Sequence, residues 1–276
     1  MAMSIRTNIA SLNAQRNLGS TQSTLDSSMS RLSSGFRITK AGDDAAGLGI
    51  STKLESQIRS YSQASRNAND GLSVIQSTES ALNESANILT RLRELAMQSA
   101  SDGIGNTERG YVQQEASSLV NELERIAQVT EYNGTKLLTG GTTLDFQVGI
   151  ANSTNDKISF TSVNATTATG TGLGVTGLSL ASKASAQGAL QTIDDALAAV
   201  SNARSTLGAA GNRLESSIRN IQAFAESLSA ANSRIKDVDI AEETSRMSRA
   251  QILAQSGVSV LAQANQQPQL ALKLLG

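Results

Sequence analysis

A walk of alternating four- and three-residue steps from Leu54 meets Ile58, Tyr61, Ser65, Ala68, Leu72, Ile75, Glu79, Leu82, Ala86, Leu89, Arg93 and Ala96; ten of these thirteen positions are apolar. The same walk from Ala186 to Ile235 is apolar at twelve of fifteen positions, broken by Arg204, Gly211 and Asn232. Such spacing holds side chains on one seam of a helix. Two seams this long predict two helices packed on each other, since neither buries its stripe alone.

Asp43 and Asp44 sit where an N-cap and a first-turn carboxylate satisfy orphan amides, so the first long helix is expected from about Asp44 to about Ala100, roughly 85 Å at 1.5 Å per residue. Ser101, Asp102, Gly103 and Gly105 break it, and Val112, Ala116, Leu119, Leu123 and Ile126 mark a shorter amphipathic helix. After the turn signal Asn133-Gly134 the period changes to two. Leu144, Phe146, Val148 and Ile150, then Ile158 and Phe160 beyond the turn-rich ANSTND segment, read as a β-hairpin. Residues 162–177 show no clear period and are expected to form an exposed irregular loop.

The two ends echo one another. Ile5, Ile9 and Leu12, then Leu25, Met29, Leu32 and Phe36, lie at helical spacing near the N-terminus. Near the C-terminus Met247, Ala250, Ala254, Gly257, Leu261 and Ala264 follow a three-four walk, flanked by Val258 and Val260 and followed by Leu270, Leu272, Leu274 and Leu275. These stripes are thin, and segments that bury so little should order only against a partner. The fold class expected is therefore mainly α: a long antiparallel coiled-coil-like rod with one small β-hairpin, plus terminal helices forming an inner coiled coil. Residues 1–42 with 238–276 make the terminal domain, and 43–237 make the rod, with the hairpin near 137–162 and a short variable loop near 162–183.

Composition narrows the chemistry. The chain has 276 residues, 23 Lys and Arg against 24 Asp and Glu, and no Cys, His or Trp. A net charge of −1 steers it toward neither nucleic acid nor anionic lipid. Without Cys or His there are no disulfides, no zinc sites of the usual kind, no thiol nucleophile and no His-dependent triad. One proline in 276 residues favours long uninterrupted helices. No stretch reaches the ~18 to 20 apolar residues of a membrane span, and MAMSIRTNIASLNAQRN lacks the apolar core of a secretory signal peptide. No catalytic, cofactor-binding or metal-ligating residues are assigned.

The acid pairs Asp43-Asp44, Asp194-Asp195 and Glu242-Glu243 read as caps or solvated faces, because neighbouring helical side chains point apart. Gly42, Gly47 and Gly49 do not make a phosphate-binding loop. Glu79 and Arg93 interrupt a seam, which fits either contact between subunits or plain solvent exposure.

LSSGFRITKAGDDAAGLGIS, from Leu32 to Ser51, closely resembles the signature of bacterial flagellins. SIRTNIASLNAQRNL at Ser4, ANDGLSVIQSTESALNE at Ala68, RLRELAMQSA at Arg91, YNGTKLL at Tyr132, RIKDVDIAEE at Arg234 and QANQQPQLALKLL at Gln263 extend the match. The resemblance implies a subunit of the flagellar filament with its terminal helices innermost and its long helices around them. Ile5, Ile9, Leu12, Leu25, Met29, Leu32, Phe36, Met247, Leu261, Leu270 and Leu274 are then the residues expected to hold the polymer together. With only some twenty loop residues after the hairpin, there is no room for the extra outer domains of many flagellins, so a thin, smooth filament is expected.

The resemblance also implies partners: other copies of the chain, a filament cap, hook-filament junction proteins and an export chaperone, with export through the flagellar type III apparatus. An animal innate-immune receptor is implied at Arg91, Leu95 and Glu115. For these three the alternative stays open that Leu95 covers core while Arg91 pairs with an acid. Competing readings are a hook-filament junction protein of the same family, a secreted enzyme, for which the middle segment offers no site, and a cytoplasmic coiled-coil scaffold, which would not account for the hairpin or the paired terminal motifs.

Overall fold

Asp44 opens the first long helix by accepting the Gly47 amide on its carboxylate at 2.8 Å. The computed structural model describes residues 7–168, 170 and 172–275, without the side chains of 267–275. Its elements are α1 (Ile9–Ser34), α2 (Ala45–Ala100), α3 (Asn106–Val129), the two-residue strands β1 (Glu131–Tyr132) and β2 (Thr135–Lys136), β3 (Thr143–Gln147), β4 (Lys157–Thr161), α4 (Lys183–Lys236) and α5 (Ile240–Leu275). Asp43 lies two residues before α2 and serves the preceding turn instead of the helix. Two compact units part within α2 after Ile58 and within α4 before Glu226.

The unit from Arg59 to Ala225 holds one apolar core. Its α2 and α4 segments run antiparallel: Arg93 pairs with Asp194 at 2.6 Å, Glu79 faces Arg204 at 3.8 Å, and the Tyr61 and Phe224 rings stack with centroids 6.0 Å apart. The buried column of α2 is Ala64, Ala68, Gly71, Ile75, Thr78, Leu82, Ser85, Leu89, Leu92, Ala96 and Ser99, which keeps the four-three period. It shares one position per heptad with the sequence walk. The other position lies one residue earlier, at Gly71, Thr78, Ser85 and Leu92, where the walk took Leu72, Glu79, Ala86 and Arg93.

The reason is hydrogen bonding. The Thr78 and Ser85 hydroxyls donate to the Val74 and Ala81 carbonyls at 2.7 and 2.9 Å, so these polar residues enter the core with no unmet donor. Glu79 and Arg93 sit on the flank and pair across to α4, so their charges have partners inside this chain. In α4 the expected walk is buried at Ala186, Ile193, Val200, Leu207, Gly211, Leu214 and Ile221, while Ala189 and Ala196 are buried where the walk took Leu190 and Leu197.

β3 and β4 form the expected antiparallel hairpin, with Leu144 opposite Phe160 and Phe146 opposite Ile158. It is seated on α2: a Cβ at Gly71 would lie 2.9 Å from the Phe146 ring, and the Asn67 amide donates to the Gln147 carbonyl at 3.1 Å. The strand stops at Gln147, short of Ile150, because the Val148 and Gly149 amides both turn to the Asp156 carbonyl. Asn133-Gly134 makes the turn of a second, two-residue hairpin, with φ of 49° and 77° as a tight primed turn requires.

The described residues of 162–177 are irregular, as expected, but only Ala168, Gly170, Thr176 and Gly177 among them are exposed, which corrects the expectation of an exposed loop. Ala165, Leu173 and Val175 are buried, as is Leu180 just beyond them. Side chains of α3 hold this segment down: the Glu124 carboxylate accepts both the amide and the hydroxyl of Thr167 at 2.8 Å, and the Gln113 amide group bonds the backbone of Leu178 and Leu180. With its polar backbone served by side chains, a run of Thr, Ala and Gly packs without any period for the sequence to show. Those bonds, with the Thr167 amide foremost and Gln128 next, hold the Glu124 carboxyl below the usual range. Glu124→Ala should cost about 1–3 kcal/mol of stability by chemical denaturation and speed hydrogen exchange at Thr167.

In the other unit, made of residues up to Ile58 and from Glu226 onward, α1 and α5 pair antiparallel. Asn8 donates its side-chain amide to the Ala264 carbonyl at 2.7 Å, Leu18 lies beside Gly257, and Phe36 bridges to Asp237.

Candidate assembly surface of the terminal helices

The seam between α1 and α5 is built from small residues. On α1 the inward positions are Ser11, Ala14, Leu18, Thr21, Leu25, Ser28 and Leu32; on α5 they are Glu243, Met247, Ala250, Ala254, Gly257, Leu261 and Ala264. Small side chains let the backbones approach: a Cβ on Gly257 would lie 3.3 Å from Leu18. The consequence is that larger apolar residues of both helices are left outside.

Of the eleven residues singled out from the sequence, Leu25, Leu32, Met247 and Leu261 are half-buried between the two helices. Ile9, Leu12, Met29 and Phe36 are exposed, Ile9 to 64%. Ile5 lies outside the described residues, and Leu270 and Leu274 belong to α5 but their side chains lie outside the description. Ile240, Ile252, Leu253, Val258 and Val260 join the exposed set on α5. Only the two valines had drawn notice in the sequence, as flanks of the walk. Ile252 and Leu253 were detectable as apolar residues off the seam in a segment without charge, since Ala250 to Leu272 contains no Asp, Glu, Lys or Arg. Exposed apolar residues gathered in a stretch without charge make this part of α5 the candidate interaction surface.

The connection between α1 and α2 is tied to that between α4 and α5. Gly35 ends α1 with φ of 75°, and its carbonyl accepts the Val238 amide at 3.0 Å. Arg37 donates its amide to the Lys236 carbonyl and its guanidinium to the Ile235 carbonyl. The Lys236 ammonium lies 4.5 Å from the centre of the Phe36 ring and 2.5 Å from the Glu55 carboxylate. Phe36 thus serves this joint. Asp43 closes it from the α2 side, accepting the Thr39 and Lys40 amides at 3.0 Å and the Thr39 hydroxyl at 2.9 Å, with Arg31 at 3.4 Å.

At the other candidate site, Arg91 donates to Glu115 at 2.8 and 3.1 Å and to Glu94 at 2.9 Å, and these bonds raise its pKa, Glu115 contributing most. Arg91 and Glu115 are exposed. Leu95 is 2% exposed and belongs to the core, so its side chain is not offered to an outside partner. Among the described residues, no group of three or more Asp or Glu stands close enough to hold a metal ion, and no helix is long and apolar enough to cross a membrane.

The family model for the bacterial flagellin N-terminal helical region matches residues 5–143, and that for the C-terminal helical region matches residues 190–275. The chain belongs to the bacterial flagellin family. It is 44% identical to a flagellin of Halalkalibacterium halodurans and 41% identical to one of Bacillus subtilis, each comparison covering 99% of this chain and 100% of the relative. A flagellar filament 33 kDa core protein of Treponema phagedenis is 40% identical over the same shares.

Among solved structures, Bacillus cereus flagellin superposes with a TM-score of 0.50 at 27% identity, over 56% of this chain and 88% of that one. A flagellar hook-associated protein of Vibrio parahaemolyticus has a TM-score of 0.60 at 15% identity over 71% and 100%, a likeness of fold alone. This flagellin is therefore a structural, self-assembling subunit of the extracellular flagellar filament and not an enzyme.

The joint carries a pH signature. The amide of Thr39 first, then that of Lys40, the Thr39 hydroxyl and Arg31 lower the Asp43 pKa from 3.8 to about 2. Folding lowers this pKa, so the contribution of Asp43 to stability is present above about pH 4 and lost as pH falls toward 2. Carbon NMR of the Asp43 carboxyl should show it still ionised at pH 3, and Asp43→Asn should flatten the acid limb of the unfolding profile.

Proposed function

We propose that the outward apolar faces of α1 and α5 hold neighbouring copies together in the filament, with the terminal helices (residues 1–42 and 238–276) innermost and residues 43–237 around them. The observation that carries this reading is the uncharged stretch of α5 from Ala250 to Leu272, with Ile252, Leu253, Val258 and Val260 exposed on it and Ile9 and Leu12 exposed on α1. Because α1 and α5 cover each other mainly through Ser, Thr, Ala and Gly, much of the burial that would keep them ordered is left for neighbours to supply. The same thinness suits passage through the type III apparatus as an extended chain, with an export chaperone covering the C-terminal helix before assembly. A filament cap and hook-filament junction proteins meet the same terminal surfaces at the two ends of the polymer. With a compact middle, the filament is thin and smooth.

Leu12→Asp and Ile252→Asp place a charge on the outer faces without touching the α1–α5 seam. Each variant should keep the circular dichroism of the wild-type monomer and fail to extend filament seeds in a sedimentation assay. Extension at the wild-type rate by both would overturn this reading.

For the innate-immune receptor, the reading narrows to Arg91 and Glu115 as contacts, with Leu95 shaping the surface from beneath. Arg91→Ala and Glu115→Ala should each weaken receptor activation by monomer at least tenfold in a reporter cell line. A wild-type response from both variants, or silence with wild-type monomer, removes the site.

A further inference from the structure

Two glycines of the terminal coil call for different explanations. Gly257 is accounted for inside the chain, because Leu18 fills the space a side chain there would need. Gly19, nearly three turns into α1, is not: a Cβ built on it meets nothing within 4 Å. A glycine inside a helix destabilises that helix, and no packing within the subunit offsets that cost at Gly19, as none does at Gly49, Gly110, Gly188 and Gly208 of the other helices; Gly19 differs from those in its surroundings. It lies at the edge of a groove of about 490 Å³ whose walls include Leu18, Gly19 and Gln22 of α1 and Ala254, Gln255 and Val258 of α5. The floor is apolar and the rim is amide, with no charged side chain among the lining residues.

The opposite flank of α5 carries two apolar side chains with no cover in the subunit. Leu253 and Val260 are seven residues apart, hence on one face, and both are more than half exposed. At 3.6 residues per turn they lie roughly 140–200° around the helix from Gln255 and Val258, so a subunit cannot place its own knobs in its own groove. Groove and knobs are both uncharged, as the stretch from Ala250 to Leu272 requires. We infer that the Gly19 groove receives Leu253 and Val260 of α5 from a second copy of this chain.

A groove on one flank and its knobs on the other make a head-to-tail contact, which repeats without closing unless the rotation happens to return on itself. This deepens the assembly reading given above and rests on it: there the outer faces hold copies together, and here one defined contact sets their direction. Gly19 is the position that keeps the slot open.

The test uses the full chain and wild-type filament seeds. Gly19→Leu fills the slot with a good helix former in space that is empty in the monomer. Its helical signal at 222 nm should equal or exceed wild type, while seed elongation falls at least tenfold. Leu253→Asp, which removes a knob, should behave alike. Because each variant retains the half that the other lacks, an equimolar mixture should form a heterodimer by analytical ultracentrifugation where either variant alone remains monomeric.

Elongation by Gly19→Leu within twofold of wild type, or no heterodimer from the mixture, overturns the contact. If Gly19→Leu loses helical signal, Gly19→Ala decides: a critical concentration raised at least threefold supports the slot, and an unchanged one overturns it. Failure of the wild-type chain itself to extend seeds would instead strike the assembly reading on which this one rests.

Discussion

Helices packed through small residues come close together but cover little of each other. In α1 and α5 more than half of the facing positions are Ser, Ala, Thr or Gly, and alongside Leu18, Leu25, Leu32, Met247 and Leu261 in the seam, each helix keeps further large apolar side chains on its flanks. Because burial of apolar area is the main favourable term in association, those flanks are where the remaining stabilisation resides. On the assembly proposed above, what the subunit withholds from its own folding is left for the polymer.

The unit from Arg59 to Ala225 is built on the opposite principle. Leu82, Leu89, Leu92, Leu123, Leu207 and Leu214 are fully buried, and even the hydroxyl residues of its seam are hydrogen-bonded internally. Truncating such a leucine to alanine costs roughly 2–5 kcal/mol, so the packing of this unit comes from within its own sequence. Its flank charges are paired across the helices, Arg93 with Asp194 and Arg204 facing Glu79, which suits a surface that does not need apolar cover.

Between α1 and α2, and between α4 and α5, the chain must turn while staying connected to the terminal pair. The joint does this with backbone bonds from Gly35, Arg37 and Val238, a lysine shared between the Phe36 ring and Glu55, and a carboxylate that gathers two amides and a hydroxyl. Each of these is a directed polar or cation–π contact, so the joint holds its geometry without a large apolar core of its own.

The heptad period, the break after Ala100, the Asn133-Gly134 turn and the alternation of the hairpin were all legible along the chain, because each depends on residues a few positions apart. The membership of the seams was legible only by half. Leu82 and Leu89 were placed correctly, but Thr78 and Ser85 were passed over for Glu79 and Ala86, since only the folded helix shows a hydroxyl satisfied by its own carbonyl. Residues 162–177 carried no period because α3, more than thirty residues away, decides which of them are buried. In the terminal helices the sequence showed that apolar positions exist at helical spacing, while the pairing of α1 with α5 decided which face inward: Leu25, Met247 and Leu261 toward the partner helix, Ile9, Leu12 and Val258 toward whatever comes next. Spacing in a sequence fixes which residues share a face of one helix; the choice of face that is buried belongs to packing, where distant parts of the chain compete for the same contact.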